Sequence, residues 1–593
     1  MAKKVEISDH SLTSFTEDKT DERWIKTGFI IPAKYYVDQP FVVKTNDNNW
    51  LCVATTGDSH EGSSGQHIIS LRSSDCGKTW TDFADVEPPD GVESSYAVLL
   101  KTEYGRIYCF YNHNTDNIRS VKADSPPYPD GYCKRVDSLG YFVFKYSDDN
   151  GKTWSSSRYN IPTREFKIDR TNADKGKIRY FWNVGKPFVH NKDAFVPLSK
   201  VGGFGKGFFT SSEGILLKSC NIMWEKDPKK ITWETLPNGD IGLRAPSGGG
   251  RISEEHSYVV LSDGSFYANY RTIDGHPVET YSRDGGYTWE EPCYKKYADG
   301  RLFKNPRSAN FVWKCQNGKY LYWFNNHSGR GYEDRNPAWI SAGVEIDTPK
   351  GKAISWSQPE ILLYADDPFI RMSYPDLIEE DGFYYITETQ KNIARTHKFD
   401  GSWFNKMWDS LKGEYSLPND GVKLANNSKM VYIKEFLIMD NTKHGYGAKK
   451  TRSGFTLEFV VGNIKSGDIL FDTTTYIGGI LVNVTADNAI RIKLGDGRSQ
   501  NVWESDKGKQ IADGTHICIV VDGGPGIISF VINGRFCDGG EKRQFGFGHF
   551  SLYDVNGADT VKLGKCVNRC VIYKRAIKNF EAFGLATGAK LPL

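Results

Sequence analysis

The chain has 593 residues, enough for several ordinary domains or for one large all-β domain with a smaller companion. Lys and Arg number 76 against 73 Asp and Glu, a net charge of +3 with no basic tract or acidic tail, which argues against a nucleic-acid partner. No apolar run approaches the roughly 20 residues of a bilayer span, so no membrane partner is expected, and 13% aromatic with 39% hydrophobic residues fits a globular, strand-rich chain.

The start, Met1-Ala-Lys-Lys-Val-Glu-Ile-Ser, lacks the apolar stretch of a secretory signal. The expected location is the cytoplasm, or a secreted or periplasmic one if a leader precedes this start. Eleven scattered cysteines are expected as mostly reduced, buried thiols; Cys566 and Cys570 are the closest pair, with no matching Cys or His cluster for zinc.

Going along the chain, one pattern recurs: Ser73-Ser-Asp75-Cys-Gly77-Lys-Thr-Trp80, Ser147-Asp-Asp149-Asn-Gly151-Lys-Thr-Trp154 and Ser282-Arg-Asp284-Gly-Gly286-Tyr-Thr-Trp289. The Asp side chain can take backbone N–H bonds and tighten a turn, the Gly takes the left-handed conformation, and the Trp is expected to pack beneath the turn. Lys230-Ile-Thr-Trp233 and Ala353-Ile-Ser-Trp356 keep the strand end and the Trp without the Asp-Gly turn. The five Trp positions recur every 56 to 79 residues, a period that suits four-stranded propeller blades with insertions. A sixth blade is expected from 373–397, closed by the N-terminal strand near 24–32, and the long interval from Trp154 to Trp233 leaves room for a seventh.

After about residue 410 the character changes. Residues 411–427 read as a linker, and alternating strands follow at 455–461, 479–484, 489–494, 516–521 and 527–533, separated by Asp-Gly and Asn-Gly turns. The segment Val521-Asp-Gly-Gly…Ile527-Ile-Ser-Phe-Val-Ile-Asn533-Gly with Val571-Ile-Tyr573-Lys-Arg-Ala576 resembles laminin-G-like or concanavalin A-like β-sandwiches.

The boxes, their number and their spacing resemble the sialidase-like, BNR (Asp-box) repeat β-propellers over roughly residues 24–400. The expected fold is all-β, with a sialidase-like propeller catalytic domain at 1–410, the linker at 411–427, and a lectin-like β-sandwich (jelly roll) at 428–593. The resemblance implies a site. Glu255, in Ser253-Glu-Glu255-His-Ser-Tyr, stands where sialidases carry a Glu that is followed by a carboxylate-gripping Arg, here Arg271. Tyr374, in Arg371-Met-Ser-Tyr374-Pro-Asp, resembles the nucleophilic tyrosine, and Arg335 a second gripping arginine; Arg307 and Arg371 are further substrate-binding candidates. A Tyr nucleophile with an ordinary pKa near 10 needs a neighbouring carboxylate, for which Glu255 is the candidate.

Two departures stand out. The first-blade arginine of sialidases is replaced by Asp38 and Gln39, which weakens a three-arginine grip on sialic acid. The loop that would carry the general acid offers Asp58, His60, Glu61 and His67 without a clear match. His67, His113 and His190 are candidate catalytic histidines lining the blade ends; no His-x-x-x-His spacing supports a metal, no cofactor is expected, and no motif supports a structural calcium. The expected function is a glycoside hydrolase, exo-acting on a terminal sugar of an acidic or decorated oligosaccharide or polysaccharide. The alternatives are a polysaccharide lyase, with an arginine neutralising a uronate and a His or Tyr removing its α-proton, and a non-catalytic glycan-binding protein.

Overall fold

The computed structural model describes residues 21–124, 130–205, 208–329, 333, 335–428, 454–507, 511–540, 548–549, 552, 555 and 557–588. The chain divides into two compact units, one formed by Gly28–Ser357 with Asp367–Leu411, the other by Met1–Thr27, Gln358–Asp366 and Lys412–Leu593.

The larger unit is a ring of antiparallel sheets. Among the described residues there are six, with innermost strands Tyr36–Lys44, Ser94–Lys101, Tyr180–Trp182, Glu254–Val260, Phe311–Lys314 and Ser373–Glu380. The sheets are numbered one to six in that order. Consecutive strands step outward in each, as hairpin connections dictate. The first inner strand contacts those of the second and sixth sheets, and the fourth contacts that of the fifth and the second strand of the third. Asn183 Nδ2 donates to the Tyr96 carbonyl at 3.2 Å and joins the second sheet to the third. The ring is shut by mixed ends: Phe29–Ile31 forms the outer strand of the sixth sheet, paired antiparallel with Ala394–Asp400 in the register Phe29 to Thr396. The sequence places these closing strands correctly, because the N-terminal run is too short to form a sheet alone.

The three boxes are superimposable in their bonding. In the first, Ser73 Oγ accepts from Gly77 N at 2.8 Å and donates to Asp75 Oδ1 at 2.8 Å, and Asp75 accepts from Thr79 N and Oγ1 at 2.9 and 2.7 Å. Asp149 and Asp284 take the equivalent bonds from Thr153 and Thr288. Gly77, Gly151 and Gly286 all have positive φ, which allows the chain to reverse within the box. The tryptophans do more than sit beneath their own turns. Trp80 packs with Ile378, Tyr385 and Ala394 of the sixth sheet. Trp154 Nε1 donates to Ser70 Oγ of the first sheet at 2.9 Å. Trp233 meets Phe110 and Phe144 of the second, edge-on and tilted, with centroids at 5.8 and 6.4 Å. Trp289 packs against the cluster of Leu216 and Leu236 of the third sheet, so the three box tryptophans and Trp233 each staple their sheet to the preceding one through large apolar side chains buried between sheets.

The second unit contains two antiparallel sheets. One has the order Val422–Leu424, Val567–Tyr573, Gly454–Val461, Thr515–Asp522, Ile527–Ile532, Arg535–Cys537, with Gly548–His549 beside Ile527–Ile532. The other runs Gln500–Glu504, Ile490–Gly495, Gly479–Val484, Ile469–Asp472, Lys562–Leu563. Phe455, Leu457, Phe459, Ile480, Val482, Ile492, Ile519 and Phe530 form their shared core. Val422–Leu424, inside the stretch read as a linker, is a strand of the first sheet. The N-terminal segment joins this unit through a buried ionic knot: Arg23 pairs with Asp21 at 2.5 Å and with Asp522 at 2.8 Å. No sequence pattern marks this link, because its partners lie 499 residues apart. Cys52, Cys109, Cys315, Cys518 and Cys570 are buried as thiols.

Burial alone would raise the box carboxyls, but the hydrogen bonds from their threonines outweigh it and hold Asp75, Asp149 and Asp284 below the ordinary value. Groups with depressed folded-state pKa contribute fully above the unfolded value of about 4 and lose that contribution as pH falls through the folded one. Replacing Asp149 with Ala is expected to destabilise the ring by about 1–3 kcal/mol, at roughly 0.5–1.5 kcal/mol per hydrogen bond lost. Urea unfolding at pH 7 and at pH 3 checks this, and the difference between variant and parent should shrink at the lower pH.

Candidate active site

One backbone device, repeated around the ring, supplies the site. Four inner strands carry a register shift: between Asp38 and Phe41, Ser95 and Val98, Glu254 and Ser257, and Ser373 and Asp376. In each, the residue after the last regular pair has a left-handed backbone: Gln39 (φ 54°), Tyr96 (63°), Glu255 (57°) and Tyr374 (49°). None is glycine, so each position stores strain of about 1–3 kcal/mol that the surrounding sheet must over-determine. A bulge re-aims a side chain that the pleat would send to a sheet face. The same device thus re-aims one side chain on each of four sheets.

Two of the four meet. Tyr374 Oη donates to Glu255 Oε1 at 2.7 Å. The same oxygen accepts from Trp182 Nε1 at 3.3 Å and lies 2.8 Å from Arg271 Nη1. Both side chains are buried. Burial, reinforced by the Glu255 charge, pushes the Tyr374 phenol well above its ordinary value, so it rests protonated and ready to donate to Glu255. Arg271 is shared: its Nε donates to Glu254 Oε2 at 2.9 Å, and Arg307 Nη2 donates to Glu254 Oε1 at 2.6 Å. Burial would raise the Glu254 carboxyl, and Arg307 and Arg271 more than cancel this, holding it below the usual carboxylate range. Arg335 completes this side. Its Nη1 donates to Ser373 Oγ and its Nη2 to the Arg307 carbonyl at 3.2 Å. Burial lowers the Arg335 pKa, with the charges of Arg271 and Arg371 opposing its ionisation further and Tyr374 and Glu255 favouring it. Arg371 itself is exposed, near enough to act on Arg335 only through its field.

The opposite wall has the reverse character. Asp38 Oδ2 accepts from Tyr36 Oη at 2.8 Å and from Lys391 Nζ at 2.7 Å. Lys391 also pairs with Glu61 at 2.8 Å and lies over the Tyr374 ring, 4.5 Å from its centroid. Glu61 in turn pairs with Arg135 at 2.9 Å, whose guanidinium bonds Asp137 at 2.7 Å and lies 5.0 Å from the Trp182 centroid. The chain of contacts thus runs from Glu255 through Trp182, Arg135, Glu61 and Lys391 back to Tyr374. Burial pushes the Asp38 carboxyl up to about 6 against the opposing pull of Lys391. Burial also acts to raise Glu61, but Lys391 and Arg135 outweigh it and hold Glu61 far below the ordinary value.

The structure therefore gathers Tyr374, Glu255, Arg271, Arg307, Arg335, Asp38 and Glu61, with Arg371 outside and Gln39 on the matching bulge of the first blade. It does not gather the histidines, which corrects the expected histidine-lined cavity. His67 Nδ1 meets the Gly65 carbonyl at 3.1 Å, His113 Nδ1 meets Thr115 Oγ1 at 2.7 Å, and His190 Nε2 meets Asn191 Nδ2 at 2.9 Å. His67 and His113 stand on strands outside the innermost ones, and His190 ends Phe188–His190, which pairs with the opposite end of Asp193–Gly205 from Tyr180–Trp182. Burial, with the Arg158 charge, lowers His113 to about 4, so it rests neutral. Lys391, Arg135, Trp182 and Glu254 escaped the sequence reading. Glu254 could have been found as the neighbour of Glu255, but Lys391 sits in a plain turn and Arg135 in a loop, without a motif.

Cutting the shared carboxylate should expose how far this wall depends on it. Glu254→Ala leaves the buried Arg271 and Arg307 guanidiniums short of a counter-ion and is expected to destabilise the ring unit by about 3–5 kcal/mol. Thermal unfolding checks it, and an unchanged melting temperature would contradict the pairing.

Residues 145–386 match the family described as the BNR repeat-like domain. No curated protein matches the chain. Among solved structures, the intramolecular trans-sialidase from Ruminococcus gnavus in complex with oseltamivir carboxylate is 14% identical, with 63% of this chain and 97% of that one covered at a TM-score of 0.42. The Trypanosoma rangeli sialidase is 12% identical, with 97% and 98% covered at 0.41. A protein of unknown function from Dyadobacter fermentans is 14% identical, with 62% and 96% covered at 0.43. The second and third boxes lie within the stretch that is similar to the BNR repeat-like domain.

Proposed function

We propose that the propeller is a glycoside hydrolase acting on a terminal acidic sugar, with Tyr374 as nucleophile and Glu255 as its base. The observation that carries this reading is the 2.7 Å bond from Tyr374 Oη to a buried carboxylate oxygen that is itself fixed by Arg271 and Trp182. A phenol is a poor nucleophile until its proton leaves, and a positioned carboxylate takes that proton as the bond forms.

Tyr374 Oη attacks the anomeric carbon while its proton passes to Glu255 Oε1. The bond to the leaving oxygen breaks, and that oxygen takes a proton from Asp38. Water then attacks the anomeric carbon of the tyrosyl intermediate and gives a proton to Asp38, and Tyr374 recovers its own from Glu255. Asp38 suits the acid role better than Glu61, because a value raised to about 6 leaves it partly protonated near neutrality, whereas Glu61 is held ionised by Lys391 and Arg135. Arg335 and Arg271 supply positive charge for the sugar's carboxylate. The β-elimination alternative pairs Tyr374 and an arginine with His67, His113 or His190, and these histidines are bonded elsewhere. The two-sheet unit is proposed as an accessory carbohydrate-binding module of the laminin-G or concanavalin A type.

Fluorogenic aryl glycosides of hexuronic and nonulosonic acids test the reading. Tyr374→Phe and Glu255→Gln are each expected to lower kcat/KM by about 10²–10⁴, the usual worth of a proton-transfer group, with no unsaturated, ultraviolet-absorbing product from the parent enzyme. Full activity in both variants sinks the assignment. The parent's kcat/KM should decline as pH rises through about 6, where Asp38 loses its proton, and Asp38→Asn should abolish that limb together with most of the activity.

A further inference from the structure

Three of the four left-handed bulge residues have at least one side-chain polar atom engaged, although Glu255 Oε2 has no hydrogen-bond partner among the described residues. Tyr374 and Glu255 bond each other, and Tyr96 Oη donates to Asp137 and accepts from Arg135. Gln39 is the exception. Its side chain is fully buried, and neither Nε2 nor Oε1 has a hydrogen-bond partner among the described residues. An unpartnered buried carboxamide is costly and rare in native proteins, and such groups collect where a ligand is to be met. The neighbours do not relieve it. Asp38 spends its oxygens on Tyr36, Lys391 and the backbone N–H of Gln39, and Lys391 is divided between Asp38 and Glu61.

Gln39 and Tyr374 occupy equivalent positions on inner strands that touch, and Val42 N donates to Asp376 Oδ2 at 2.8 Å across that contact. Tyr374, at 2% exposure, and Glu255, at 0%, lie as deep as Gln39 at 0%. A sugar that reaches the Tyr374 oxygen therefore comes to the depth of Gln39 as well. A carboxamide offers one acceptor and two donors and no charge, which suits a hydroxyl pair or an acetamido group of a pyranose ring. The surrounding charges fix which edge of the sugar faces it. Glu61, ion-paired with Lys391 and Arg135, adds no free positive charge to the first-blade wall, whereas Arg271 and Arg335 beside Tyr374 and Glu255 draw a carboxylate to theirs.

We propose that Gln39 is a specificity-determining residue, whose carboxamide reads neutral hydroxyl or acetamido groups of an acidic sugar held with its carboxylate toward Arg335. This rests on the hydrolase reading of the site. Calorimetric titration of the full chain with glucuronate, galacturonate and N-acetylneuraminate tests it, with Gln39→Leu as the variant because leucine is close in size and has no polar atom. At least one sugar acid should bind the parent, and Gln39→Leu should weaken its Kd tenfold or more while the melting temperature stays the same or rises. Unchanged affinity in Gln39→Leu, a melting temperature lowered by several degrees, or no binding of any of the three acids to the parent overturns the proposal. A fully active Tyr374→Phe would instead overturn the hydrolase reading while leaving the Gln39 binding result in place, so the two failures are told apart.

Discussion

A single carboxylate oxygen, Glu255 Oε1, is approached by a phenol, an indole and a guanidinium, and much of the surrounding structure exists to hold it there. A buried carboxylate is expensive unless its charge is met by well-placed donors. Arg271 meets it, but Arg271 also serves Glu254, and Glu254 is needed to hold Arg307. The wall is thus a relay of shared charges in which no pair stands alone. That sharing explains why four adjacent residues, Ser253 to His256, are all buried although none is apolar.

The parts that build the ring and the parts that build the site are physically separate. The boxes are held by local bonds spanning four residues and by tryptophans wedged between neighbouring blades. The site is held by bulges at the inner strands, where the ladder is interrupted and four non-glycine residues take left-handed φ. A box can be kept while a bulge residue changes, since neither contributes to the other's hydrogen bonds. This separation is the reason that a box pattern announces a propeller and is silent about what the propeller does.

The same separation governs what could be read from the chain. The boxes were legible because each is complete within eight residues, and the strand-like runs ahead of them were legible for the same local reason. The Tyr374–Glu255 pair, 119 residues apart, could be reached only through resemblance, as no periodicity joins them. The histidines misled because polar, turn-like surroundings do not tell which strand, or which end of it, a residue occupies. Lys391 was invisible because its importance comes entirely from what the ring folds against it: Asp38 and Glu61 from the first sheet and its connection, and the Tyr374 ring from its own. Gln39-Pro40 and Tyr374-Pro375 share one local feature, a proline directly after the bulge residue. Proline restricts the residue before it and lacks the N–H that a regular ladder would use.

The missing first-blade arginine takes on a different meaning in this setting. Its absence alone would describe a weakened cationic grip. Yet the first-blade wall is not merely less positive: Asp38, Glu61 and Asp137 stand there against Lys391 and Arg135, while Arg271, Arg307 and Arg335 stand across the site against Glu254 and Glu255. Three acids face two bases on one wall and three bases face two acids on the other. Among charges so little exposed to water, such a gradient acts more strongly than any one contact, because each misplaced charge is repelled on one side and left unpaired on the other. A ligand with charge at one edge and neutral polar groups at the opposite edge fits this field in one orientation only, and the bulge that lifts Gln39 out of the sheet provides a neutral group at the place where that second edge would lie.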